Sequence, residues 1–161
     1  MDRRRTRSAR RRRAHGVPMF GVCFGGQLLA DVLGGSALPG LRPEYGFTPV
    51  QTDDPLLVGP GPWFEFHHDV IAPPPGARVV ARTASGVQAF TSGPHLGVQF
   101  HPEATLECLR AWRRRPSGTT ADDEGGVDVA ALEAELVAHS DRSAARCDQL
   151  VASFLRHAGL T

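Results

Sequence analysis

Lysine is absent: all 18 basic residues of the 161-residue chain are Arg. No ATP-binding loop, nucleotide motif or acceptor domain is visible, so an energy-consuming synthetase step has no seat in this chain. Cysteine is scarce. Cys23, Cys108 and Cys147 cannot all pair, and their spacing fits no zinc site, which excludes a disulfide framework and makes a reducing, cytoplasmic compartment the default. No apolar stretch is long enough to cross a membrane. No internal repeat is present. No basic or aromatic surface follows the N-terminal arginines, so neither a nucleic-acid nor a membrane partner is expected.

What is present begins with a charge asymmetry. Eight Arg and one acid fall in residues 1–13, which leaves ten Arg against sixteen acids, a formal −6, for the remainder. A basic tail on an acidic body follows. Arg11, Arg12 and Arg13 before the apolar residues 17–24 imitate a twin-arginine export signal, but Gln27 and Asp31 interrupt the following run. An unstructured tail or a mis-assigned start is the preferred reading. Residues 17–23 read as a buried strand, Gly25-Gly26 as a sharp turn, and residues 27–33 as a helix closed by Gly34-Gly35. Residues 36–62 are rich in Gly and Pro, with short extended pieces such as 47–51. Strands are expected at 63–66, 78–81, 87–90 and 96–100, and a helix at 105–114. Four segments result: a tail (1–15), a partial domain (16–115), a polar linker (116–127) and a C-terminal helical segment (128–161). Residues 128–155 resemble one or two amphipathic helices, with an apolar stripe that thins around residues 139–145, where a break would fall.

Two short motifs carry chemistry. In Gly21-Val22-Cys23-Phe24-Gly25-Gly26-Gln27, a thiol sits between a strand and a helix, and flanking glycines permit a tight elbow that lifts it out of the sheet. A helix N-terminus favours a thiolate, and the Phe24 N–H can face a developing oxyanion. The competing reading is a small, buried, apolar cysteine. In Gly97-Val98-Gln99-Phe100-His101-Pro102-Glu103, an imidazole and a carboxylate follow a strand. His101 could move the proton of Cys23, and Glu103 could orient the ring. Alone, such a pair is more often a surface contact. His67, His68, Asp69, His101 and Glu103 could also be read as metal ligands, but their spacing matches no compact site, and no metal or cofactor is expected.

Taken together, the two motifs resemble the class I glutamine amidotransferases, in particular the GMP synthase-like stand-alone domains. Residues 63–69 (Trp-Phe-Glu-Phe-His-His-Asp) resemble a third family block, in which His67 matches the family histidine. The resemblance covers residues 17–112. It implies an open, mainly parallel α/β sheet flanked by helices, here lacking its first strands. It implies Cys23, His101 and Glu103 as a catalytic triad, with the Phe24 main chain, the Gln27 side chain and the His68–Asp69 segment lining a glutamine pocket. The implied reaction hydrolyses the glutamine side-chain amide through a thioester and gives glutamate and ammonia for a synthetase. Nothing in residues 1–20 resembles the family's Gly-rich oxyanion loop, so the chain alone is expected to show little activity unless a complementary chain completes it. The other readings are a catalytically inactive relic or regulatory binding domain, and a γ-glutamyl hydrolase.

Overall fold

The computed structural model describes residues 16–113 and 127–161. The expected tail and nearly all of the expected linker lie outside the described residues. Strand β1 (Phe20–Val22) leads through Cys23 into helix α1 (Phe24–Leu33). Strands β2 (Ser36–Thr48), β3 (Gln51–Thr52), β4 (Trp63–Ala72), β5 (Arg78–Arg82), β6 (Val87–Ser92) and β7 (His95–Val98) follow. Helices α2 (Leu106–Arg113) and α3 (Val129–His157) close the order. The strands form one open sheet in the order β1-β7-β6-β4-β2, with β5 joining β6 to β3.

This is the open α/β sheet flanked by helices that the sequence implies. Its strand directions are mixed. β1 and β7 run parallel, with Val22 opposite Val98, and the other pairs among the described residues are antiparallel. For β6 and β7 the reason is connection length. The two residues Gly93-Pro94 join β6 to β7, and so short a link can only reverse the chain, whereas parallel neighbours need a crossover of about a dozen residues or more. The parallel pair is the one that bears on the site, because it brings the ends of β1 and β7 level.

Strand β1 (Phe20–Val22) is shorter than the expected 17–23, β4 (Trp63–Ala72) is longer than the expected 63–66, and two further segments differ more. β2 occupies thirteen residues where only short extended pieces were expected, although Pro39, Gly40 and Pro43 lie within it. It is the last strand of the sheet path and pairs only with β4, and the register slips between Pro39 and Glu44. An edge position and a bulge are the two settings in which a strand tolerates proline. The slip sets Glu44 opposite His67. The C-terminal segment, read as one or two helices, is one helix of 29 residues with no break at 139–145. It contains neither Gly nor Pro, Asp128 caps it by accepting from the Ala131 N–H at 3.0 Å, and Arg156 and His157 sit in its last turn.

The thin stretch of α3 spans two separate cores. Leu132 and Leu136 pack with Phe64 and Leu109. Leu150 and Phe154 pack with Trp63, Val98 and Phe100. Burying each such side chain stabilises the fold by roughly 1.5–3 kcal/mol. Trp63 and Phe64 enter different cores because successive strand residues point to opposite faces. A third cluster seats α1 through Leu29 and Ala30 on Ile71 and Phe90. Among the described residues, no helix is long and apolar enough to cross a membrane.

Candidate active site

The backbone at Cys23 has φ 48° and ψ −112°, and Cys23 is the one non-glycine with positive φ among the described residues. Such a conformation costs on the order of 1–3 kcal/mol and persists only where its surroundings impose it. They do so here. The Cys23 N–H donates to the Val98 carbonyl at 2.9 Å, and the Cys23 carbonyl accepts the Gln27 N–H at 2.9 Å. The chain therefore leaves β1 and enters α1 within one residue, so the expected turn at Gly25-Gly26 is already helix. A Cβ on Gly21 would stand 2.5 Å from the Gly25 carbonyl oxygen, and one on Gly26 would stand 2.5 Å from that of Val98. Glycine is required at both positions by close approach. Gly25, with nothing within 4 Å of such an atom, is free of that constraint.

Because Val22 and Val98 are level, the residues just after β7 meet the elbow. The His101 N–H donates to the Phe64 carbonyl at 2.8 Å, which ties the segment to β4. The His101 ring lies under the influence of the Cys23 side chain, and its Nδ1 lies 2.8 Å from Glu103 Oε1. Burial alone would lower the pKa of this ring. The hydrogen bonds and negative charge of Cys23 and Glu103 outweigh it and raise the value to about 9. The His101 side chain is 12% exposed and that of Glu103 is 45% exposed. Trp112 packs on the imidazole with ring centroids 4.4 Å apart, so α2 fixes the ring's free face. The arrangement offers a sulfur nucleophile, an adjacent proton carrier and a carboxylate that orients it.

The other residues named from the sequence are disposed around this centre. Phe24 is 45% exposed at the first turn of α1, where backbone N–H groups lack partners within the helix. The Gln27 side chain is buried, and its Nε2 donates to the Asp69 carbonyl at 3.3 Å and to Gln99 Oε1 at 3.2 Å. His68 and Asp69 are exposed, and His68 Nε2 lies 2.8 Å from the Tyr45 hydroxyl. A cavity of about 520 Å³ runs past Glu103, Thr105, Ser143 and Cys147, and so adjoins the orienting carboxylate but not Cys23.

Gln99 is a site residue that sequence reasoning misses. It is fully buried. Since Gln27 donates to its oxygen, its amide orientation is set, and its Nε2 then donates to Cys23 Sγ at 3.6 Å. Glu44 and Glu65 also escape the sequence reading. The Nε2 of buried His67 lies 3.1 Å from Glu65 Oε2 and 3.3 Å from Glu44 Oε2, and its Nδ1 lies 3.0 Å from the Asp69 carbonyl.

Similar proteins indicate the family and the fold. The model of the glutamine amidotransferase class-I family matches residues 3–110. A glutamine-hydrolyzing GMP synthase subunit from Saccharolobus solfataricus is 43% identical over 96 residues, covering 54% of this chain and 51% of that protein. A glutamine-hydrolyzing GMP synthase from Thermomicrobium roseum is 44% identical over 95 residues, 55% of this chain and 18% of that protein. The chain thus spans about half the length of the synthase-subunit relatives it matches. Among solved structures, a glutamine amidotransferase from Thermotoga maritima superposes with TM-score 0.76 at 22% identity, covering 95% of this chain and 67% of that one. One from Methylobacillus flagellatus gives 0.74 at 21% identity, covering 94% and 68%. At these identities the structures speak for the fold.

Proposed function

This chain belongs to the class-I glutamine amidotransferase family, and on that premise we propose that it is a glutamine-hydrolysing component that releases ammonia through Cys23, His101 and Glu103. One observation supports the reading most: the strained Cys23 elbow stands by a histidine whose pKa the thiol raises and which is itself paired to a carboxylate at 2.8 Å. A buried apolar cysteine needs neither the strain nor the pairing.

The Cys23 sulfur adds to the side-chain amide carbon of glutamine. The negative charge that develops on the amide oxygen faces the Phe24 N–H at the start of α1. Charged next to Cys23, His101 gives its proton to the leaving nitrogen as the C–N bond breaks, and ammonia departs from a glutamyl thioester. A water molecule then adds to the thioester carbon and loses its proton to His101. The C–S bond breaks, and glutamate and free Cys23 result. Gln27, His68 and Asp69 line the glutamine pocket in this reading, with Gln27 acting through the backbone it holds. Relatives that are named as one subunit of a GMP synthase support a separate synthetase chain as the ammonia acceptor.

The test is ammonia and glutamate release from glutamine by the 161-residue chain, beside Cys23→Ala and His101→Ala. A glutamine-like electrophile provides a second readout and should alkylate Cys23 faster than Cys108 or Cys147. Equal labelling of the three thiols, or glutamine hydrolysis above background that survives Cys23→Ala, refutes the assignment.

A further inference from the structure

On β2 and β4, away from the thiol, three ligand atoms from Glu44, Glu65 and His67 lie within 4.8 Å of one another. The group is rich in acceptors and poor in donors. A backbone carbonyl can only accept, so the 3.0 Å contact of His67 Nδ1 with the Asp69 carbonyl places a hydrogen on Nδ1. A charged ring donates Nε2–H to the two carboxylates; the neutral tautomer with its hydrogen on Nδ1 turns the Nε2 lone pair toward them. This is the tautomer that metal-binding histidines adopt, with the distal N–H held by a carbonyl.

Three further observations point the same way. The Glu65 side chain has no exposure, and its Oε1 has no hydrogen-bond partner. A proton on the ring neutralises one of the two carboxylates; a divalent cation neutralises both. The spacing also fits. In a tetrahedral zinc site with bonds of about 2.0 Å, ligand atoms stand about 3.3 Å apart, and here the His67 Nε2 distances are 3.1 and 3.3 Å. Glu44 is fixed from its other side, since its Oε2 accepts from Gln88 Nε2 at 2.7 Å and from the Thr83 hydroxyl at 3.1 Å.

We propose that Glu44, Glu65 and His67 bind one divalent transition-metal ion, zinc or one of similar chemistry, which pins β2 to β4 behind the Asp69 carbonyl. The remaining carboxylate oxygens, the unpartnered Glu65 Oε1 foremost, complete the coordination. The ion is structural. It holds the bulged edge strand in register and takes no part in the reaction proposed above, on which this inference does not depend.

The test titrates zinc into the chelator-treated 161-residue chain by calorimetry and follows the melting temperature. Saturation at one ion per chain with a rise in melting temperature is expected. Glu65→Gln and His67→Asn should each weaken binding at least tenfold, while His68→Ala should leave it unchanged. Cobalt(II) reports the ligand type: a visible d–d band without sulfur charge transfer supports the site, and a sulfur charge-transfer band assigns the ion to a cysteine and overturns it. If a variant fails to fold, the cobalt spectrum of the parent chain decides. Absence of saturable binding also overturns the proposal and assigns the neutralising charge to a proton.

Discussion

Replacing Cys23 by Ser tests the central pairing through the protonation of His101 rather than through turnover. In the native chain the ring is raised from 6.5 to about 9. At about 1.4 kcal/mol per pH unit, this corresponds to at most roughly 3.5 kcal/mol of preference for the charged ring in the fold. Burial is the largest single influence and acts downward, so the rise depends on Cys23 and Glu103 together. Serine removes the sulfur charge and leaves burial opposed by Glu103 alone, which is 45% exposed. The ring should then titrate near or below 6.5. The sign for stability follows from a raised folded-state pKa: the contribution is complete below pH 6.5 and is lost as pH rises through about 9. The native chain should therefore lose stability across that window, and the Cys23→Ser chain should lose less. The ring Cε1–H resonances of the seven histidines, with His101 assigned by its absence in His101→Gln, give the titration. Urea unfolding at pH 6 and pH 9.5 gives the stability. A value near 9 that survives Cys23→Ser, or one near 6.5 in the native chain, refutes the pairing.

Three further outcomes are expected. Gly26→Ala should cost about 2 kcal/mol or more in urea unfolding, because its Cβ would meet the Val98 carbonyl oxygen at 2.5 Å. Gly25→Ala, with open space around it, should be neutral or gain about 0.5–1 kcal/mol from helix propensity, and equal effects at the two positions would contradict the elbow geometry. Gln99→Leu should slow alkylation of Cys23 by a glutamine-like electrophile and cost about 1–3 kcal/mol, since it removes the N–H facing the sulfur and an acceptor of Gln27. Unchanged labelling would show that Gln99 does not position the thiol. Leu150→Ala should cost about 2–5 kcal/mol in thermal or urea unfolding, because this fully packed side chain joins α3 to Trp63, Val98 and Phe100; a loss under about 1 kcal/mol would mean that α3 is not part of the core.

The elbow is legible in the sequence because its requirements are local. A strand, a thiol and a helix start must succeed one another directly, and Gly21 and Gly26 are dictated by backbone approaches within a few residues and across to β7. The His101-Pro102-Glu103 stretch is legible for the same reason, since its ring and carboxylate are two residues apart and meet at 2.8 Å. What brings these two stretches together is not local. It depends on the parallel register of β1 with β7, which only the resemblance to a family supplies. Trp112, whose ring lies 4.4 Å from that of His101, reads from the sequence merely as a helix residue of the apolar face.

The buried polar chain behind the site is invisible for a more general reason. Gln88, Gln99 and Glu65 lie on or beside strands in otherwise apolar surroundings and are fully buried. A sequence reading assigns such residues to the solvent face of an alternating strand, because burying them costs stability unless partners exist that the pattern does not reveal. The partners come from elsewhere: Glu44 reaches His67 only because β2 bulges after Pro39. One atom then links the halves of the site. The Asp69 carbonyl accepts from Gln27 Nε2 at 3.3 Å and faces His67 Nδ1 at 3.0 Å. Gln27 in turn orients Gln99 toward the Cys23 sulfur. A displacement of β4 at Asp69 therefore disturbs both the exposed segment that would meet substrate and the amide facing the nucleophile. This is a physical reason for so costly a set of buried groups to be anchored to that one strand.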